Sequence, residues 1–123
     1  MNHTILVVDD DPRILQTFAR NLKATGYEVL TAPDGEEALQ VYRREQPAIA
    51  LIDVRMPGLD GFDVLQAIRK LNPDAEVILI TGHGDMEMAI EALRAGASDF
   101  IPKPARPDVL RTALQRAESR LRL

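Results

Sequence analysis

Ala48-Ile49-Ala50-Leu51-Ile52-Asp53-Val54-Arg55-Met56-Pro57-Gly58 is an apolar run that stops on a single acid, and its reading decides the fold. The apolar residues after Pro47, ending at an acid before Met-Pro-Gly, fit a strand buried on both faces of a parallel sheet. Asp53 then stands at the carboxyl end of that strand, beside the crevice where open α/β sheets bind ligands. An Asp in such a place also serves as a plain turn cap, so this stretch by itself leaves both roles open.

Outward from it, strand and helix alternate. Thr4 to Val8 is a β-branched run ending in Asp9-Asp10-Asp11-Pro12, where Asp11 and Pro12 suit the cap and first position of a helix with Ile14, Leu15, Phe18 and Leu22 inward. Gly26 closes that helix, and Tyr27 to Thr31 reads as a strand. Asp34-Gly35-Glu36-Glu37 starts a helix with Ala38, Val41 and Tyr42 inward. Beyond the Met56-Pro57-Gly58 turn, Phe62, Leu65, Ile68 and Leu71 mark a third helix that stops at Asn72-Pro73. Glu76 to Ile80 is a buried strand running into Thr81-Gly82-His83-Gly84. Ala89, Ile90 and Leu93 mark a fourth helix. Ser98 to Ile101 is a short strand leading to Pro102-Lys103-Pro104, and Pro107 opens a last helix with Leu110, Leu114, Ala117 and Leu121 on one face. This alternation, with right-handed crossovers, predicts one α/β unit over residues 1–123: a doubly wound five-stranded parallel sheet with helices on both faces.

Composition narrows the function classes. The 123 residues suffice for one self-supporting domain. With no cysteine, disulfide frameworks and thiolate metal sites are excluded. The start lacks a signal-peptide pattern and no run is long enough to span a bilayer, so the expectation is a soluble, cytoplasmic chain without membrane contact. A net charge of -4, no Trp and few other aromatic residues argue against direct nucleic-acid binding by this segment.

In the predicted sheet Asp9-Asp10, Asp53, Thr81 and Lys103 all fall on one edge. Two carboxylates 4 Å apart repel by roughly 4 kcal/mol at an effective dielectric near 20, a large share of a domain's stability of about 5–15 kcal/mol. Such a cluster makes sense around a cation, and all-oxygen ligands with room for water select magnesium. Lys103 supplies a fixed positive charge and Thr81 a hydroxyl, which together suit a phosphoryl group attacked in line by a carboxylate. Singly, Lys103 reads as well as a solvated loop lysine and Thr81 as a strand-end hydroxyl; jointly, at four strand ends, they read as one site.

Val7-Val8-Asp9-Asp10-Asp11, Asp53-Val54-Arg55-Met56-Pro57-Gly58, Thr81-Gly82 and Phe100-Ile101-Pro102-Lys103-Pro104 resemble the receiver domains of two-component response regulators, over the whole chain. The resemblance implies the flavodoxin-like strand order 2-1-3-4-5 and a phosphorylation-dependent signalling switch. It implies that Asp53 is the phosphoacceptor, that Asp9, Asp10, Asp53 and the backbone carbonyl of Arg55 surround magnesium, and that Lys103 pairs first with the acceptor and then with the phosphoryl group. Thr81 and Phe100 would be the switch pair, Arg55 and His83 would tune phosphoryl lifetime, and Lys103-Pro104 would be cis. Implied partners are a histidine kinase or histidine phosphotransfer protein, a second copy docking on the face of the fourth helix, fifth strand and fifth helix, and an output domain outside this chain. The stretches Thr81 to Asp85 and Ala95 to Ile101 are similar to receivers of transcriptional activators.

Three other readings compete. A metal-dependent aspartyl-phosphate phosphohydrolase wants a second acid two residues beyond its nucleophile, and here that residue is Arg55; self-phosphorylation and slow self-dephosphorylation are expected rather than turnover. A flavin-binding relative would place phosphate against Asp9-Asp10-Asp11, which repels it. The intact acids and Lys103 argue against an interaction domain that has lost phosphorylation, though less firmly than the residues argue against the other two. His3 reads as an exposed terminal residue, Met86 and Met88 as helix-start packing, and the arginines of the last helix as a solvated face.

Overall fold

The structure, a computed structural model, describes residues 3–82 and 86–121. The elements are β1 (Thr4–Val8), α1 (Pro12–Ala24), β2 (Glu28–Ala32), α2 (Gly35–Glu45), β3 (Ile49–Asp53), α3 (Gly61–Leu71), β4 (Glu76–Thr81), α4 (Met86–Arg94), β5 (Asp99–Pro102) and α5 (Pro107–Leu121). The strands form one parallel sheet in the order β2-β1-β3-β4-β5. The order reverses between β1 and β3, and that reversal opens the crevice at their carboxyl ends.

Side chains alternate across the sheet with period two. Leu6, Val8, Ala50, Ile52, Val77 and Leu79 pack on one face under α2, α3 and α4, whereas Ile5, Val7, Ile49, Leu51, Ile78 and Ile80 pack on the other under α1 and α5. Every residue of β3 is buried. Each fully buried Leu or Ile there stabilises the fold by about 1.5–3 kcal/mol relative to an exposed one, so the position of Asp53 is inherited from the strand preceding it.

The local signals act as expected at the helix starts. Asp11 accepts the Arg13 N–H at 2.9 Å, Asp34 accepts the Glu37 N–H at 2.8 Å, and Asp60 and Asp63 form a reciprocal capping box. Several details differ from the sequence reading. β2 begins at Glu28 because the Tyr27 N–H closes α1 onto Leu22, and β5 runs one residue later, through Pro102. In α3, Val64 is fully buried and Leu71, in the last turn, is half exposed. In α4 the inward stripe is Met88 and Ala92, continued by Ala95 just after the helix, while Ile90, Leu93 and Met86 are exposed. Small alanines let α4 lie close to the sheet and turn its larger apolar side chains outward. Among the described residues, no helix is long and apolar enough to cross a membrane.

Candidate functional site

Asp9 follows β1, and its backbone N–H still donates to Ala32 across the sheet. Its carboxylate is almost wholly buried and accepts the Asp11 N–H at 2.9 Å, so the start of α1 orients it. Asp10 is exposed to solvent. Asp53, the last residue of β3, is buried, and one of its oxygens lies 3.4 Å from the Arg55 N–H. Each of Asp9, Asp10 and Asp53 offers an oxygen within 4.8 Å of the others'.

Lys103 reaches this cluster from the loop after β5. Its backbone N–H donates to the Thr81 carbonyl at 2.6 Å, which fastens the loop to the end of β4, and the Lys103-Pro104 peptide is cis. The Lys103 Nζ lies 3.1 Å from an Asp9 oxygen and 3.2 Å from an Asp53 oxygen. Burial raises the pKa of Asp53, and the neighbouring charge of Asp9 adds to that; the hydrogen bond and charge of Lys103 oppose it without cancelling it. For Lys103, burial works against the charged form, but the two carboxylates outweigh it and raise its pKa. The site is therefore short of positive charge, since Asp9 and Asp53 share one lysine and Asp10 stands close beside them. An all-oxygen donor set of this spacing fits a hard divalent ion such as magnesium.

The other predicted site residues lie around this centre. Thr81 ends β4, is fully buried, and pairs in register with Pro102. Phe100 pairs with Leu79, inside β5 rather than at its end, and packs half-buried on the α2–α4 side of the sheet. The exposed Arg55 side chain lines an open groove with Asp60, Met88 and Glu91, beside the acids rather than among them. His83 lies outside the described residues. The sequence reading passed over the Asp11 amide that orients Asp9; the signal was the Asp-x-Asp-Pro spacing, which puts a helix start two residues past the acid.

Two sequence-based corrections concern the far edge. His3 is only partly exposed, with its Nδ1 buried 3.4 Å from Glu118, because β1 starts beneath the last turns of α5. The arginines of α5 are not simply a solvated face: Arg120 pairs with Glu76 at 2.7 Å and Arg116 with Asp99 at 3.1 Å.

The family model described as "Response regulator receiver domain" matches residues 5–115. The chain is 38% identical over 113 residues to the C4-dicarboxylate transport transcriptional regulatory protein DctD of Pseudomonas aeruginosa, a match spanning 92% of this chain and 24% of that protein. It is 43% identical over 118 residues to the probable transcriptional regulator ycf27 of Pyropia yezoensis, spanning 93% of this chain and 48% of that protein. The chain thus spans a quarter to a half of the length of these regulators. Among solved structures, a response regulator receiver domain protein from Clostridium thermocellum superposes with a TM-score of 0.93 at 37% identity, covering 98% of this chain and 97% of that one. A CheY-like receiver domain protein from Methanospirillum hungatei gives 0.91 at 32%, covering 99% and 98%.

Proposed function

Because the chain belongs to the receiver domains of two-component response regulators, we propose that Asp53 is the residue through which it switches, accepting a phosphoryl group from a histidine kinase or histidine phosphotransfer protein. The observation that carries this reading is the gathering of Asp9, Asp10 and Asp53 within 4.8 Å around a single lysine. Asp53 is the member that terminates the central strand, and its oxygen forms the new P–O bond while the bond from phosphorus to the donor breaks. Asp9, Asp10, Asp53 and the Arg55 carbonyl would hold magnesium, which when bound neutralises the phosphoryl oxygens and the charge of the acids. Lys103 moves from its carboxylate partners to the incoming oxygens, and Thr81 supplies a hydroxyl to the same group. Arg55, in place of a second acid, leaves no general base two residues beyond the acceptor, so the phosphoaspartate persists and turnover is slow. Arg55 and His83 set that lifetime by shaping the approach of water.

The signal then passes from Thr81 to Phe100 and onto the face made by α4, β5 and α5, where a second copy docks. Inverting a resting ratio of 99 to 1 takes about 5.5 kcal/mol of differential stabilisation. A doubly charged group making new bonds to a lysine, a hydroxyl and a metal is of that order. Both curated relatives described above are named as transcriptional regulators and are longer than this chain, which supports an output domain beyond it that acts on DNA.

Incubating the chain with magnesium and a small acyl phosphate should add one phosphoryl group in intact mass. Asp53→Asn should abolish the gain, as should chelating the metal. An unchanged mass would favour an interaction domain without phosphorylation, and continuous release of phosphate without accumulation would favour a phosphohydrolase.

A further inference from the structure

Gly61 opens α3 directly against the strand end that carries Asp53. A Cβ at Gly61 would lie 2.7 Å from the Asp53 carbonyl oxygen, 2.7 Å from the Val54 Cα and 3.2 Å from the Asp53 carbonyl carbon. All three are backbone atoms, so no side-chain rotation relieves the overlap. The contact is pinned on both sides. The Gly61 N–H donates to the Val54 carbonyl at 2.8 Å, the Val54 N–H donates to Ile80 at 2.9 Å, and the Asp60–Asp63 capping box fixes where α3 begins. One layer out the same device recurs: a Cβ at Gly35, the first residue of α2, would lie 2.7 Å from the Leu59 Cβ and 2.9 Å from its carbonyl oxygen.

The geometry points to Gly61 as a positioning residue for phosphoryl transfer. The inference rests on Asp53 being the acceptor. Repelling acids do not order one another, and among the described residues the Asp53 carboxylate is tied only by Lys103 and by the long contact from the Arg55 amide. Its place is therefore set by its backbone, and that backbone is seated on the first turn of α3. The missing side chain of Gly61 allows the seating. Any side chain there displaces the end of β3, and with it Asp53 relative to Asp9, Asp10 and Lys103. In-line transfer is sensitive to such a shift, since misplacing a reacting group by about 1 Å can reduce rate about a hundredfold.

The test compares wild type, Gly61→Ala and Gly35→Ala by urea denaturation, by initial rates across a series of acyl phosphate concentrations at saturating magnesium, and by amide spectra. Gly61→Ala should lower the maximal rate about tenfold or more, because it moves the reacting carboxylate. The half-saturating acyl phosphate concentration should stay within about twofold, since donor binding is left intact. The amide signals of Asp53 and Val54 should move. Gly35→Ala should lose comparable stability while its maximal rate falls less than about threefold, because it meets Leu59 and the Val64 side chain, which can give way, and not the strand that carries Asp53. A folded Gly61→Ala chain with the wild-type maximal rate overturns the inference, as does an equal loss of rate in both variants. Should Gly61→Ala not fold, Asp60→Ala unpins the start of α3 without adding atoms against Asp53; an unchanged maximal rate there overturns the inference and a several-fold fall supports it. A wild-type chain that takes up no phosphate overturns the acceptor assignment, and this inference with it, whereas a phosphorylated wild type beside an unaffected Gly61→Ala overturns this inference alone.

Discussion

The two edges of the sheet both hold carboxylates out of water, but they treat them in opposite ways. At the amino edge each acid has its own partner: Glu76 meets Arg120, and Glu118 takes the Tyr27 hydroxyl on one oxygen and the approach of His3 on the other. At the carboxyl edge the buried Asp9 and Asp53 share Lys103, with the exposed Asp10 close beside them. Burying an acid is tolerable when it is paired and hydrogen-bonded, and unfavourable when it is crowded with like charge. The amino edge is therefore built to hold the last turns of α5 onto the sheet. The carboxyl edge is left with more negative than positive charge, an arrangement that fits a cation.

The strongest way to break this comparison is at the amino edge. Arg120→Ala leaves Glu76, which is only 8% exposed, without its cation. Removing one partner of a fully buried pair destabilises by 3–5 kcal/mol, and because Arg120 keeps contact with water a loss of about 2 kcal/mol is expected. Urea denaturation measures it, and phosphorylation by acyl phosphate should proceed at the wild-type rate. A rate that falls with the stability would mean that the two edges are not separate in function.

The carboxyl edge was far more legible in the sequence than the amino edge. Apolar runs that end on Asp9 or Asp53 announce both a strand and its terminal acid, because the signal lies within a few consecutive residues. The strand order and the gathering of Asp9, Asp10, Asp53 and Lys103 followed from the parallel sheet that those runs and the family resemblance implied. The pairings of the amino edge join residues 44 apart for Glu76 and Arg120 and 91 apart for Tyr27 and Glu118, and no local pattern records them. Helix α4 itself was legible, but its inward face was not, for a different reason. Its nine residues carry two interleaved apolar stripes, and hydrophobicity alone favours Ile90 and Leu93 over the alanines that actually allow close packing. Gly61 escaped notice because its role is the absence of atoms beside a backbone that only the folded chain brings near.

A second measurement sharpens the comparison at the carboxyl edge. The pKa of Asp53 is raised, first by burial and then by Asp9, so the folded chain prefers it protonated. A raised folded pKa means a contribution that is fully present below the unfolded value and lost as pH rises through the folded one, so at pH 7 ionised Asp53 weakens the fold. Asp53→Asn should accordingly be more stable than wild type at neutral pH without metal. The advantage should shrink as pH falls through the raised pKa of Asp53, where wild type protonates, and be gone below the ordinary carboxylate range. Magnesium should stabilise wild type more than the variant. An Asn variant less stable than wild type at pH 7 would show that Lys103 outweighs burial, and the two edges would then differ less than the geometry implies.

The smallest effect is expected at Tyr27. Burial, then the hydrogen bond and the charge of Glu118, push its phenol up to about 12 from an ordinary 10.0. The folded chain thus disfavours the phenolate relative to the unfolded chain, so stability is unaffected below pH 10 and falls as pH climbs through about 12. Hydrogen bonds to charged groups are worth about 1.5–3 kcal/mol when sealed from water, but water reaches Tyr27 and can replace the phenol at Glu118. Tyr27→Phe should therefore lose only about 0.5 kcal/mol at pH 7. Its clearer signature is alkaline: the phenolate absorbance step near pH 12 should vanish, and the fall in stability that wild type shows between pH 10 and 12 should flatten. A wild-type Tyr27 that ionises near pH 10 would mean that Glu118 does not hold it, leaving Glu118 with His3 alone and one paired acid fewer at the amino edge.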